Sequence, residues 1–288
     1  MKTPRSCVQF LLATLTCVMF SSNPGMALPK EKYKLEQMAN GVFLRCELFT
    51  LRVAICTDRI VHVTCAPGQQ IPEKQSLSVT GSWAPASWIL DRKADKILLK
   101  TAAITVEIDP ATILCRFTDH KGNLLIAEKE RAFSPVMIGE EPSWNVFETF
   151  KLTPDEGIYG LGQHQYGWMN HRGKEVTLIQ TNTTAVNPFL VSTQGWGILW
   201  DNYSKTYFRD DRSNGATFWS EYGNQADYYL FFGDDMERSL LAIGWLRDRL
   251  PCLENGHTDS GKARNVISMP KSSLMLLRNT VCAAFPLM

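Results

Sequence analysis

The sequence has almost no excess of charge of either sign. Thirty Lys and Arg residues are balanced by 29 Asp and Glu residues, so the formal net charge of the 288-residue chain is +1. A surface without a dominant sign gives no electrostatic reason to bind nucleic acid or an anionic membrane. We therefore expect neither as a partner.

Patterns that bind metals are also scarce. The chain has eight Cys and five His, and no two cysteines have the CxxC spacing of a metal cluster. We expect no metal site and no cofactor. Four cysteines lie inside apolar strand patterns: Cys46, Cys56, Cys65 and Cys115. Buried free thiols are predicted for these four, and a Cys46–Cys65 or Cys56–Cys65 disulfide is the alternative.

Long hydrophobic runs are missing as well. The one candidate, Cys7 to Phe20, is too short to span a bilayer as a helix. Lys2 and Arg5 precede it, and Gly25-Met26-Ala27 offers small residues to a signal peptidase. Residues 1–27 are therefore predicted to be a signal peptide, which makes the protein exported, to the periplasm or the medium. An uncleaved membrane anchor is the alternative.

Helical periodicity is absent before residue 234, and short alternating segments take its place. They recur about every 8–12 residues and are separated by turn residues, which is typical of an antiparallel sandwich or barrel. An all-β fold is predicted, with a short helical start at Asp234–Glu237 and an irregular C-terminal tail. Trp196, Trp200 and Trp219 are predicted to be core residues, and stacking on sugar is the alternative. The main strand predictions are Val42–Cys46, Thr50–Cys56, Ile60–Cys65, Lys96–Lys100, Ala103–Ile108, Ile113–Asp119, Pro188–Ser192, Thr206–Arg209, Ala216–Trp219 and Asp227–Phe232.

Four motifs occur in a family-specific order. They are GIYGLGQH at 157–164, QTNTT at 180–184 followed by PFLVS at 188–192, WGILWDN at 196–202 and DYYLFFG at 227–233. In this order and spacing the chain resembles family 31 of the glycoside hydrolases, particularly its α-xylosidase-like branch. The similarity covers roughly residues 30 to 240.

The resemblance implies a galactose mutarotase-like β-supersandwich at 28–240, followed in such enzymes by a (β/α)₈ barrel that carries both catalytic carboxylates. No acidic pair in this chain lies in a motif that matches them: Glu140-Glu141 would diverge on a strand, and Asp210-Asp211 is predicted to be a turn. Catalytic residues are therefore not expected here. The complete enzyme would cleave α-xylosidic or α-glucosidic bonds of an oligosaccharide, and the chain without its partner barrel would be inactive.

The resemblance also implies a substrate-binding loop, because the family's sandwich lends one loop to the rim of the active site. The matching residues are Gln180, Asn182, Thr183 and Thr184, whose amides and hydroxyls can hydrogen-bond sugar hydroxyls. Many family α-glucosidases have Asp at the position of Asn182. His164 is the fifth candidate binding residue. The alternative is that residues 182–184 only turn the chain through side-chain caps.

The resemblance stops at about residue 240. When permitted codons for residues 241–288 are read in a shifted frame, they can encode GKWAYGFWQSK and, further on, EYR and IPID, which resemble the family's entry into its barrel. We therefore interpret 241–288 as an off-family tail produced by a frameshift near residues 239–242. A native 48-residue extension is the alternative.

Two other functional classes are open from the sequence. A stand-alone carbohydrate-binding module would require aromatic side chains exposed outside the core. A mutarotase-like enzyme would require a His and a carboxylate that converge on an open cleft.

Overall fold

The computed structural model describes residues 33–79 and 83–243, with only the backbone of 240–243. The predicted signal peptide lies outside the described residues, as do all but the first three residues of the predicted tail. Within this part of the chain the bounds are β1 Lys34–Met38, β2 Gly41–Arg45, β3 Phe49–Ile55, β4 Ile60–Pro67, β5 Ile89–Arg92, β6 Ile97–Lys100, β7 Ile104–Ile108, β8 Cys115–Asp119, β9 Leu124–Ile138, β10 Glu141–Lys151, β11 Ile158–Gln163, β12 Glu175–Leu178, β13 Ala185–Ser192, β14 Trp196–Trp200, β15 Thr206–Asp211, β16 Gly215–Gly223, β17 Ala226–Phe232 and α1 Met236–Ile243.

The strands form two antiparallel sheets that face each other. One has the order β1-β2-β3-β4-β17-β14-β13-β11, and the other has the order β12-β15-β16-β10-β9-β8-β7-β6-β5. Alternation decides which side chains enter the core, as on β7, where Ile104, Val106 and Ile108 are fully buried between polar neighbours. The predicted all-β supersandwich is confirmed. Helix α1 has eight residues and is neither long nor apolar enough to cross a membrane; the described residues contain no helix that is.

The four cysteines of the described part are buried and unpaired, as predicted, and the alternative disulfides are not present. Burial raises the pKa of the Cys56 and Cys65 thiols to about 12. Because the thiolate is the reactive form, these cysteines are protected from oxidation in the folded protein.

Two predictions about individual residues were wrong. Trp196 and Trp200 are core residues, but Trp219 is 38% exposed on the outer face of the nine-stranded sheet, because residues 216, 218 and 220 take the inward positions of β16. Asp210-Asp211 is not a turn but the end of β15. The Asp210 side chain is buried because it accepts a hydrogen bond from the Gly173 amide and pairs with Arg172.

A buried charge cluster lies between the sheets; we call it the inter-sheet cluster. Arg131 of β9 contacts two carboxylates, Glu148 at 2.6 Å and Glu128, and it also donates to the Ile113 carbonyl. The Tyr228 hydroxyl from the opposite sheet donates to Glu128. One cation therefore faces two carboxylates. Burial and the Glu128 charge raise the pKa of Glu148 well above its ordinary value, although Arg131 opposes them.

Candidate functional site

The GLG motif distorts strand β11 where it pairs with β13. Gly160, Leu161 and Gly162 all have positive φ, at 113°, 62° and 96°. A Cβ at Gly162 would lie 2.1 Å from the Ala185 carbonyl oxygen, and one at Gly160 would lie 2.5 Å from the Phe189 oxygen. Glycine is required at both positions because the backbones of β11 and β13 approach too closely for any side chain.

His171 holds the segment after β11 against this strand through two hydrogen bonds. Its amide donates to the Ile158 carbonyl at 2.8 Å, and its Nε2 lies 3.0 Å from the Gly160 carbonyl oxygen. Burial lowers the pKa of the His171 imidazole, which favours the neutral ring with Nε2–H as the donor. The loop at 164–170 therefore begins and ends at fixed positions beside the GLG motif.

The register of β11 and β13 brings the predicted binding residues to one end of the eight-stranded sheet. Gln163 pairs with Ala185, so His164 and Thr184 follow directly at the same end. A backbone bridge between Thr181 and Thr184 closes the turn between them. We call this end, with His164 and residues 180–184, the rim.

The rim side chains differ in how far they are engaged. Gln180 Oε1 accepts from the Val186 amide at 3.0 Å, and His164 Nε2 lies 2.8 Å from the Leu161 carbonyl oxygen. Asn182 and Thr183 are exposed, and their side chains form no hydrogen bond with any described residue. The turn is therefore closed by the backbone and not by caps from these two side chains.

An aromatic stack next to the rim was missed by the sequence reasoning. The ring centroids of His164 and Tyr166 are 5.2 Å apart, those of Tyr166 and Trp168 are 5.0 Å apart, and the Lys174 ammonium lies 4.9 Å from the Trp168 centroid. Tyr166 and Trp168 are exposed, as is the neighbouring Met169. The alternation of aromatic residues at 164, 166 and 168 was the available signal.

A His–carboxylate pair does exist, but not at the rim. His62 Nε2 lies 2.6 Å from Asp227 Oδ1, and the side chains are 16% and 4% exposed. Lys74 lies 2.9 Å from the other Asp227 oxygen and 3.1 Å from Asp201, and the His62 ring stacks on Tyr229. We call these residues the outer-face cluster. His62 Nε2 and both Asp227 oxygens have protein partners, and the Asp227 side chain is buried. The pair is therefore packed, whereas a mutarotase-like enzyme would require a pair that is presented to a substrate.

Exposed aromatic side chains also occur on the nine-stranded sheet. Tyr207 and Trp219 stack on each other with centroids 4.9 Å apart, and the Lys205 ammonium lies 4.6 Å from the Tyr207 centroid. A carbohydrate-binding module uses open ring faces, whereas here Trp219 and the Lys205 ammonium both lie against the Tyr207 ring. This geometry does not favour the stand-alone module.

The chemistry of the rim is that of neutral hydrogen-bonding groups. Its predicted residues offer amides, hydroxyls and an imidazole, which suit sugar hydroxyls, and they offer no carboxyl group. Retaining glycoside hydrolysis needs two carboxyl groups. Residues 33–79 and 83–243 also contain no group of three or more His, Cys, Asp or Glu that could hold a metal ion.

Curated proteins with similar sequences support the family resemblance. The chain is 30% identical over 213 residues to an α-xylosidase of Saccharolobus solfataricus, which covers 67% of this chain and 28% of that protein. It is 26% identical over 201 residues to an uncharacterised family 31 glucosidase of Pseudescherichia vulneris, with 61% and 36% covered. The chain thus spans about a third of these relatives or less.

Solved structures share the fold. A family 31 α-xylosidase of Xanthomonas citri superimposes with a TM-score of 0.68 at 17% identity, over 73% of this chain and 40% of that one. A family 31 α-xylosidase from a soil metagenome, solved with xylose, gives 0.67 at 18% identity, over 74% and 34%. Residues 50–208 match the glycosyl hydrolase 31 N-terminal galactose mutarotase-like domain. The chain therefore belongs to glycoside hydrolase family 31 and contains its N-terminal sandwich domain.

Proposed function

We propose that this chain is the sandwich portion of an exported hydrolase of α-xylosidic or α-glucosidic bonds, and that the rim binds the sugar beside a catalytic barrel. The observation that carries the proposal is the rim itself. Asn182 and Thr183 are exposed and unpaired at the end of a sheet whose GLG motif fixes their position. Free amide and hydroxyl groups held in place are what recognition of a sugar hydroxyl requires.

The chain alone is expected to be inactive, because the rim lacks the two carboxyl groups of the reaction. The test begins with DNA sequencing across codons 230 to 250 and past the stop. The chain and a version with the restored reading frame are then assayed on aryl α-xylosides and α-glucosides. Hydrolysis is expected from the restored version only. Turnover by the 288-residue chain, or a clean read without a barrel frame beneath it, would refute this part of the proposal.

The role of the rim is tested by Asn182→Ala in the frame-restored enzyme. Loss of one hydrogen bond to a sugar hydroxyl is expected to raise KM about tenfold and to leave kcat nearly unchanged. Asn123→Ala, in the exposed turn before β9, is the matched control and should leave both constants unchanged. Equal effects of the two variants would exclude a binding role for Asn182.

Export is tested by the N-terminal sequence of the mature protein. If residues 1–27 are a cleaved signal peptide, the protein recovered from the periplasm or medium begins at Leu28. Recovery from the membrane pellet with Met1 or the apolar segment still attached would support the anchor instead.

A further inference from the structure

A polar cleft lies at the opposite end of β11 from the rim. It has a volume of about 420 Å³, and Asp155, Glu156, Tyr159, Arg172, Thr193 and Arg212 are among the residues that line it. Ile158 pairs with Ser192 at this end, whereas Gln163 pairs with Ala185 at the rim. Five residues of strand separate the two places by roughly 17 Å, so the cleft is a separate site.

The inner wall of the cleft holds a buried arginine whose donors are unused. The Arg172 side chain is 4% exposed, and neither Nε nor Nη1 has a hydrogen-bond partner among the described residues. Nε lies 3.1 Å from an Asp210 oxygen, an ion-pair contact without hydrogen-bond geometry, and Nη1 lies 3.9 Å from Glu156. The charge of Arg172 is therefore balanced, whereas its N–H groups still need acceptors.

The mouth of the cleft offers unused groups of both kinds. Arg212 and Asp155 are exposed, and neither side chain forms an ion pair or hydrogen bond with another described residue. Tyr159 also lines the cleft. Donors and an acceptor thus meet in one cleft.

We propose that this cleft is a second carbohydrate site, which binds a neutral pyranose. Each sugar hydroxyl both donates and accepts, so it can bridge the guanidinium groups and the Asp155 carboxylate. An anion is disfavoured because the three carboxylates of Asp155, Glu156 and the adjacent Asp210 outnumber the two arginines. The choice of sugar rests on the proposed function, but the cleft lies wholly within the sandwich.

The test is a titration of the full chain with methyl α-D-xylopyranoside and methyl α-D-glucopyranoside, followed by NMR. Millimolar binding with amide shifts at Gly157 and Thr193 is expected. Asp155→Asn and Arg212→Gln are exposed and unpaired, so they should fold, and each should weaken binding about tenfold. Arg209→Gln is the matched control, because Arg209 lies on β15, the strand that ends just before Arg212. This variant should bind like the wild type.

Three results would overturn the proposal. These are the absence of shifts up to 100 mM sugar (about the weakest binding of interest), unchanged affinity in both variants, and preferential binding of sulfate or glucuronate. Shifts that appear only at residues 180–184 and vanish in Asn182→Ala would place the sugar at the rim, which refutes the cleft and supports the proposed function. If the frame-restored protein shows no hydrolysis while the amide shifts at the cleft are still observed, only the proposed function is refuted.

Discussion

Two of the buried charge clusters in the sandwich differ in how far their cation is enclosed. In the inter-sheet cluster, Arg131 is 4% exposed and two carboxyl groups share this one cation. In the outer-face cluster, Lys74 is 21% exposed and joins Asp201 and Asp227, and His62 is a further partner. Because Lys74 reaches solvent, we expect water to replace a lost partner in the second cluster but not in the first. The position of a charge, more than its number of partners, is then expected to decide how much stability depends on it.

The largest effect is expected from Arg131→Met. Removal of the cation leaves Glu128 and Glu148 buried side by side, which should lower the free energy of unfolding by about 3–5 kcal/mol. Urea denaturation followed by tryptophan fluorescence measures it. Arg209→Met, which breaks only the exposed pair with Glu175, is the control and should cost less than about 1 kcal/mol. A small loss for Arg131→Met would mean that water reaches the inter-sheet cluster.

A smaller effect is expected from Lys74→Met. The Asp227 carboxylate keeps its bonds to His62 and Gln225. The Asp201 carboxylate loses its partner, but Lys74 is 21% exposed, so water is expected to enter the vacated position. The loss should be about 1–2 kcal/mol by the same urea denaturation, because one charged hydrogen-bond donor is removed near the surface. A loss as large as that of Arg131→Met would erase the distinction between the two clusters.

The loss of stability at acid pH should depend on the outer-face cluster. Burial raises the pKa of Asp227, but the bonds and charges of His62 and Lys74 outweigh it and hold the pKa below its ordinary value of 3.8. The unfolded state then binds protons more readily than the folded state, so stability is present above pH 3.8 and is lost as the pH falls through the folded pKa. Thermal melts of wild type and Asp227→Asn from pH 6 to pH 3 (roughly the range in which carboxylates titrate) should show a flatter profile in the variant. Parallel profiles would contradict the assignment.

The smallest effect is expected from Glu148→Gln, which removes the second ionisable carboxyl group and keeps the side-chain shape. Because burial and Glu128 raise the pKa of Glu148, the folded state holds its proton more tightly than the unfolded state. Its contribution is complete below the ordinary pKa and is lost as the pH rises through the folded value. The variant should therefore lie within about 1 kcal/mol of wild type at pH 8, with less loss of stability as the pH rises. A destabilisation of the size expected for Arg131→Met would show that Glu148 is needed as a carboxylate.

Strands with one buried face could be predicted from the sequence, and strands without one could not. The alternation of Leu51, Val53 and Ile55 predicted β3 to within a residue, and β4 was predicted with the correct start but ended two residues too early, at Cys65. Apart from Ser143, the side chains in the outer half of the β9–β10 hairpin are exposed or half-buried on both faces, so the pattern is irregular and no strand was predicted there. Periodicity reports burial, and a projecting hairpin buries too little to show it.

The two candidate sites also differ in how far the sequence could predict them. The rim residues lie in two short stretches, each of which resembles a family motif, so they could be named in advance. The cleft takes Glu156, Arg172 and Arg212 from three separate segments, and each looks like an ordinary surface charge in the sequence. The same applies to Glu128, Arg131 and Glu148. Only the strand pairing brings such residues together, and the pairing is a property of the whole sheet.

The close approach of the β11 and β13 backbones affects which substitutions this protein can accept during evolution. The position of the rim depends on two missing side chains, at Gly160 and Gly162, and on backbone oxygens of β13 that every amino acid carries. The residues at 182 and 183 contribute nothing to that framework. Their identity is thus free to drift, and substitutions at these two positions, where we propose that the sugar binds, are expected to leave the fold intact.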